Sequence, residues 1–384
     1  MNMDVYITDV AAFLPNNPID NEEIVKVLGL TEAVPTKTRK LILARNKIHH
    51  RYYAIDPGSG SVTHTNAQLT AEAIRCLQPY EGFSLNDIEC LSCGTSTPDQ
   101  LMPGHGLMVH GELGGSPYEV VTTAGACLSG MTALKYAYMN VALGFTKNAV
   151  ATGSEQISTF MRASFFSGVN KNESKGSKKQ NMVPFDADFL RWMLSDGAGA
   201  VFLTSKLPKK RLALKINWIE HLSFAGEFEP CMYAGAKKNA NGTLTGWREN
   251  DSIGRSLDEG FFLIKQDVRL LNSDMLNVAV DRTLPYVMKK HKLSARDINW
   301  FLPHYSSEYF RLKFYNRLKE FNLEIPMERW FTNLPYKGNI GSASIYVILE
   351  ELFHSGKIKK GDKLLCFVPE SGRFSMCYLL LTAF

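Results

Sequence analysis

The stretch YEVVTTAGACLSGMTALKYAYMNVAL, residues 118–143, decides how the chain folds. Its β-branched opening reads as a strand, the small residues around Cys127 as a tight turn, and the apolar periodicity beyond them as an unbroken helix. Cys127 then stands just ahead of a helix that begins around Leu128, where its sulfur would meet unpaired backbone N–H groups and the positive end of the helix dipole. Such a setting is expected to lower the pKa of a thiol. Gly125, Ala126 and Gly130 leave space for the turn and for a bound acyl group, as a nucleophile elbow requires. An inert cysteine buried in a core turn is the alternative reading.

The rhythm of strand and helix continues on both sides. Upstream, residues 4–14 read as a strand ending at Pro15, 21–29 and 66–77 as helices, and 88–93 as a short apolar strand. Residues 36–57 read as a basic helix followed by a crossing segment near a mouth, and the loop GTSTPDQLMPGHG leads into a helix at 107–113. Downstream come a strand at 147–153, a mobile loop at 170–182 and a buried strand within 196–203. The polar, basic tract TSKLPKKRL, residues 204–212, is the natural join, giving halves 1–206 and 207–384. The second half offers a strand at 213–220, a polar insertion at 226–256, a helix at 268–290, strands at 298–303, 364–368 and 374–382, and a helix after Tyr305. Two alternating halves predict an α/β protein with mostly parallel sheets packed between helix layers.

Composition narrows the function. In 384 residues, 45% hydrophobic and 21% charged, a core forms without metal or disulfide staples. The formal charge of +5 is spread along the chain, with no arginine-rich or aromatic-laced tract, so nucleic acid is not the expected partner. No apolar run reaches the length of a membrane span, and Asp4 and Asp9 interrupt the only N-terminal stretch that could serve as a leader. Seven scattered cysteines suit a reducing cytoplasm. Cys90 and Cys93 form a CxxC, but it lies in a strand-like run with no second ligand pair, so a metal is not expected.

Three other positions could carry chemistry. His304 follows the apolar strand NWFLP, at the carboxyl end where such sheets place their active sites, although a lone histidine there can be structural. Asn339 lies in the small-residue junction GNIGSAS ahead of an apolar helix, where a helix cap is the plain alternative. Gly372, in SGRFSMC after the strand KLLCFVPE, sits in a turn that could aim a backbone N–H at a developing oxyanion.

Taken in order, VYITDVAAFLPNN, GTSTPD at 94–99, TAGACLSG, ATGSE at 151–155, SDGAGAVFL at 195–203 and GNIGSAS at 338–344 resemble the thiolase superfamily, specifically its ketoacyl-ACP synthase III-like condensing enzymes. The resemblance implies a five-layer αβαβα fold of two pseudo-duplicated halves, a homodimer, and a Cys127–His304–Asn339 triad. It further implies that Cys127 takes an acyl group from a thioester and that an enolate from a second thioester attacks it in a Claisen condensation. His304 and Asn339 would hold the enolate oxygen, and the backbone N–H groups of Cys127 and Gly372 would form the other oxyanion hole. No tightly bound cofactor is implied. The substrates would hang from phosphopantetheine, on CoA or an acyl carrier protein, with basic clusters at 178–179, 209–211, 289–292 and 357–360 as docking points for an acidic carrier.

Departures from the family pattern select a branch. His304 is followed by Tyr305, Ser306 and Ser307 in place of Gln-Ala-Asn, Gly372 is followed by Arg373, and 226–256 looks like an added segment. These changes look more like the ketosynthase-cyclases, which join an acyl thioester to a β-ketoacyl thioester and close a cyclohexanedione, the precursor of a dialkylresorcinol or stilbene. Glu155, His105 and Glu308 are weak candidates for assisting that closure. A non-catalytic ketosynthase-like partner subunit, and an acyltransferase passing the group to oxygen, nitrogen or water, are the competing readings.

Overall fold

The computed structural model describes residues 3–31, 36–166 and 185–384. Nine strands make one mixed sheet: β1 (Tyr6–Phe13), β2 (Cys90–Thr95), β3 (Glu119–Ala124), β4 (Asn148–Glu155), β5 (Gly197–Thr204), β6 (Leu214–Ser223), β7 (Trp300–Pro303), β8 (Lys363–Glu370) and β9 (Ser375–Ala383). Their order is β7-β8-β9-β6-β1-β5-β4-β2-β3. The seam between halves is thin, since β1 meets β6 only at Tyr6↔Lys215 and Ile7↔Leu214.

On either side of that seam the same topology recurs. In the first half β1 runs antiparallel to β5, β5 antiparallel to β4, and β4 parallel to β2. In the second half β6 runs antiparallel to β9, β9 antiparallel to β8, and β8 parallel to β7. Where the first half adds β3 parallel to β2, the second has a single parallel bridge between Phe301 and Trp330. The expectation of mostly parallel sheets is therefore corrected. β8 turns straight into β9 through residues 371–374, and a connection that short can join only antiparallel neighbours.

The helices that matter are α1 (Thr36–Asn46), α2 (Asn66–Arg75), α3 (His105–Leu113), α4 (Ser129–Ala142), α5 (Val268–Leu276), α6 (Leu284–His291), α7 (Arg311–Glu320) and α8 (Ser344–His354). A π-helical turn, Asn277–Thr283, joins α5 to α6, so the periodic run at 268–290 is one helix with a bulge. Strand alternation sorts the layers. Leu364, Cys366 and Val368 of β8 face the same core as Met131 and Leu134 of α4 and Ile345 and Leu349 of α8, while Leu365 and Phe367 face α5 and α7. On the outer side of the first half, Leu69 and Val109 of α2 and α3 cover Leu91 and Cys93. The result is five layers, with α4 and α8 in the middle.

That middle layer is packed through glycines. A Cβ on Gly94 would lie 2.3 Å from the carbonyl oxygen of Ser129, and one on Gly130 would lie 2.5 Å from that of Ser342. Backbone thus touches backbone where GTSTPD, the elbow and GNIGSAS converge, and only the residue without a side chain permits it. The basic pair at 178–179 and the loop at 170–182 lie outside the described residues.

Candidate active site

Cys127 stands one residue ahead of Leu128, the N-cap of α4, as the sequence predicts. It lines a cavity of about 220 Å³ together with Asn339, Glu155, Ser371 and Gln266. It also lines a smaller, more apolar recess of about 50 Å³ walled by His304, Phe314, Phe367 and Met275. The two spaces adjoin, with Cys127 on both linings, Asn339 on the first and His304 on the second. Gly372 lies just behind the elbow, where a Cβ would be 3.7 Å from that of Ala126.

Each partner is set by its own backbone. His304 leaves the end of β7, its N–H bonded to the carbonyl of Phe367 at 2.8 Å. Only 3% of it is exposed, and that burial pushes its imidazole down to about 4, so the ring is neutral at physiological pH and carries one N–H to donate. Asn339 is pinned by a bond from its N–H to Met193 and one from Ser195 to its carbonyl. Its Oδ1 accepts the N–H of Gly341 at 3.0 Å, which leaves Nδ2 as the donating end. Asn339 is not the N-cap of either helix that follows, and its local turn bond is compatible with donation from Nδ2.

The thiol itself contradicts the helix-dipole expectation. Burial pushes the Cys127 thiol up, and the carboxylates of Glu370 and Glu155 push it further. Desolvation and two nearby like charges outweigh the helix end, because a thiolate would be a third negative charge in a site with little water. Glu370 was not singled out from the sequence. It ends β8, and its Oε2 accepts the N–H groups of Ala126 and Leu128, both at 3.1 Å, across more than 240 residues of chain.

The three residues named for ring closure fare differently. Glu155 lines the cavity, but its oxygens accept Ser96 N–H and O–H, Thr97 O–H and Ser342 N–H. It ties the GTSTPD loop to GNIGSAS, while burial raises its pKa against those hydrogen bonds. His105 sits below the sheet with Nε2 near Thr70 and Ser154, is pushed by burial down to about 4, and lines neither space. Glu308 accepts the Tyr305 hydroxyl at 2.9 Å and also lines neither.

Other motif residues are architectural. Asp196 of SDGAGAVFL gathers the N–H groups of Ala54, Ile157 and Ser158. Cys90 and Cys93 fall in cores on opposite faces of β2, so their sulfurs cannot share an ion. From the 226–256 insertion, Met232 reaches the cavity wall.

Residues 288–379 match the family described as 3-oxoacyl-[acyl-carrier-protein (ACP)] synthase III C terminal. The chain is 24% identical over 355 residues to a β-ketoacyl-[acyl-carrier-protein] synthase III of Clostridium perfringens, covering 92% of this chain and 91% of that one. The chain is thus similar along nearly its whole length to synthase III condensing enzymes. The 3-oxoacyl-[acyl-carrier-protein] synthase III of Aquifex aeolicus superposes on this chain with a TM-score of 0.68 at 20% identity, covering 98% of this chain and 99% of that one. Xanthomonas campestris OleA, solved with bound lauric acid and lauroyl-CoA, gives a TM-score of 0.73 at 19% identity, with 100% of each chain covered. Among the described residues, no cluster of side chains is suited to hold a metal ion and no helix is long and apolar enough to cross a membrane.

Proposed function

We propose that the chain is an acyltransferase in which Cys127 is acylated and the acyl group is then condensed with a malonyl- or β-ketoacyl-thioester. The observation that carries this reading is that Cys127 lines two adjoining spaces, one bordered by Asn339 and the other by His304. In the first step Cys127 attacks the thioester carbonyl, a new C–S bond forms, and the carrier thiol leaves with the proton that the cysteine gives up. The N–H groups of Cys127 and Gly372 hold the tetrahedral oxyanion. In the second step the acceptor becomes an enolate, by loss of CO₂ from a malonyl group or of the C2 proton from a β-ketoacyl group to solvent water, and water returns a proton to the Cys127 sulfur as it departs. His304 and Asn339 Nδ2 donate to its oxygen while its carbon forms the new bond and Cys127 is released.

A neutral imidazole and a primary amide suit this task, because both donate a hydrogen bond to an enolate oxygen without giving up their own proton. The mostly apolar walls of the larger cavity, including Phe189, Leu190 and Val268, suit a hydrocarbon chain. The substrates arrive on CoA or an acyl carrier protein in the cytoplasm, and Arg45 of α1, on the cavity wall, is a cation for the phosphates of the arm. β3 is the open edge of the sheet, with Thr122 and Ala124 exposed, which fits a homodimer formed across that edge. A second bond formation on the bound product, closing a cyclohexanedione, completes the ketosynthase-cyclase reading. With every Glu155 oxygen already accepting, the first place to look for help is the Ser371–Gln266 pair on the same wall, 3.3 Å apart.

The test is intact-mass spectrometry of wild type and Cys127→Ala after incubation with acyl-CoA and acyl-carrier thioesters, followed by product analysis with malonyl and β-ketoacyl acceptors. Acylation of the wild type alone, with a new β-keto or cyclic product, is expected. No adduct from any donor would sink the reading and favour a non-catalytic partner subunit.

A further inference from the structure

We infer that Glu370 is a positioning residue of the condensing site: its carboxylate clamps the two N–H groups that flank Cys127 and sets a negative charge beside the elbow. The inference rests on Cys127 being the nucleophile and adds a residue from the opposite half of the molecule. Glu370 is the last residue of β8, and its neighbours Pro369 and Ser371 both line the substrate spaces. Strand alternation turns Glu370 the other way, into the elbow.

There Oε2 takes Ala126 N–H and Leu128 N–H, each at 3.1 Å, and leaves the N–H of Cys127 between them for an oxyanion. The other oxygen, Oε1, lies 3.3 Å from where a Cβ on Gly372 would stand. One carboxylate therefore lies beside both residues whose N–H groups are assigned to the oxyanion hole, Cys127 just ahead of α4 and Gly372 beyond β8. An oxyanion hole works because its donors are fixed before charge develops, so the spacing of those two groups is what the clamp protects. The negative charge also sits favourably at the N-terminus of α4.

The same charge acts on the sulfur. The titratable and charged groups around Cys127 are the carboxylates of Glu370 and Glu155, the neutral imidazole of His304, the phenols of Tyr305 and Tyr309, and Arg45 at the cavity wall. Of these, the carboxylates bear on the thiol most strongly after burial, with Glu370 ahead of Glu155. A site that keeps its thiol protonated resists oxidation and stray electrophiles until a thioester is in place.

The experiment follows carbamidomethylation of Cys127 by iodoacetamide, resolved from exposed Cys76 by peptide mass spectrometry, across a range of pH in wild type, Glu370→Gln and Glu370→Ala. Both variants should alkylate about tenfold faster than wild type near pH 8, the effect of removing one adjacent like charge. Condensation should separate them: Glu370→Gln keeps an acceptor oxygen and loses less kcat, whereas Glu370→Ala frees both N–H groups and loses roughly 100-fold in kcat with KM little changed. A Glu370→Gln alkylation profile that superimposes on wild type, in a protein of unchanged melting temperature, overturns the charge role. Equal kcat for the two variants overturns the clamp. If wild type takes no acyl group from any thioester, the condensing reading fails instead, and the alkylation profiles still report on the charge.

Discussion

The two halves place the same junction at the centre of the molecule and use it differently. In the first half the chain leaves β3 and turns at Cys127 into α4; in the second it passes the Trp330 bridge and turns at Asn339 and Gly341 into α8. The first turn is partly open to solvent at Ala124 and Gly125, while the second is sealed, with Ile340 and Ala343 fully buried. An open turn can receive a substrate and carry a nucleophile. A sealed turn can hold a donor rigidly, which is what an amide aimed at an enolate needs. On the proposed function the duplicated fold divides the labour, with the nucleophile on one side and the enolate donors on the other, and Glu370 of the second half reaches back to the elbow of the first.

That division can be broken one side at a time. Cys127→Ala should remove acyl-enzyme formation altogether, a loss of roughly 10⁴-fold or more in turnover, read by intact mass and product formation. His304→Ala should leave capture in place and cost condensation roughly 100- to 1,000-fold, seen as acyl-enzyme that accumulates without product. Gly130→Ala tests the contact between the junctions. Its Cβ would stand 2.5 Å from the carbonyl of Ser342, so thermal melting should report a loss of about 1–3 kcal/mol or more.

The smallest expected effect concerns acid stability. His304 and His105 are both held near 4 by burial, below the ordinary histidine value of 6.5. Between those values the unfolded chain binds more protons than the folded one, so the contribution of these histidines to stability is present above about pH 6.5 and is lost as the pH falls toward about 4. His105→Gln should flatten part of that decline in a series of melts. An unchanged slope would show that the buried ring is not the source.

Much of this was legible in the sequence, for local reasons. The strand, elbow and helix at 118–143 are encoded by β-branched, small and apolar residues in succession, and the structure returns them as β3 and α4. His304 was marked by the apolar strand before it. Glu370 was not, because its partners are brought close only by the completed fold, and the thiol shift runs opposite to the helix-end expectation because burial, its largest cause, also arises only there. The antiparallel members β5 and β9 were also missed as such: apolar periodicity identifies a strand but says nothing about which way its neighbour runs.

The central claim is that the nucleophile and the enolate donors come from different halves, and Asn339→Ala tests it most directly. Incubated with an acyl thioester and a decarboxylating or β-ketoacyl acceptor, this variant should show the acyl mass on Cys127 at a rate near that of wild type and little condensed product. Loss of the acyl adduct together with the product, or product formed at the wild-type rate, would contradict the account.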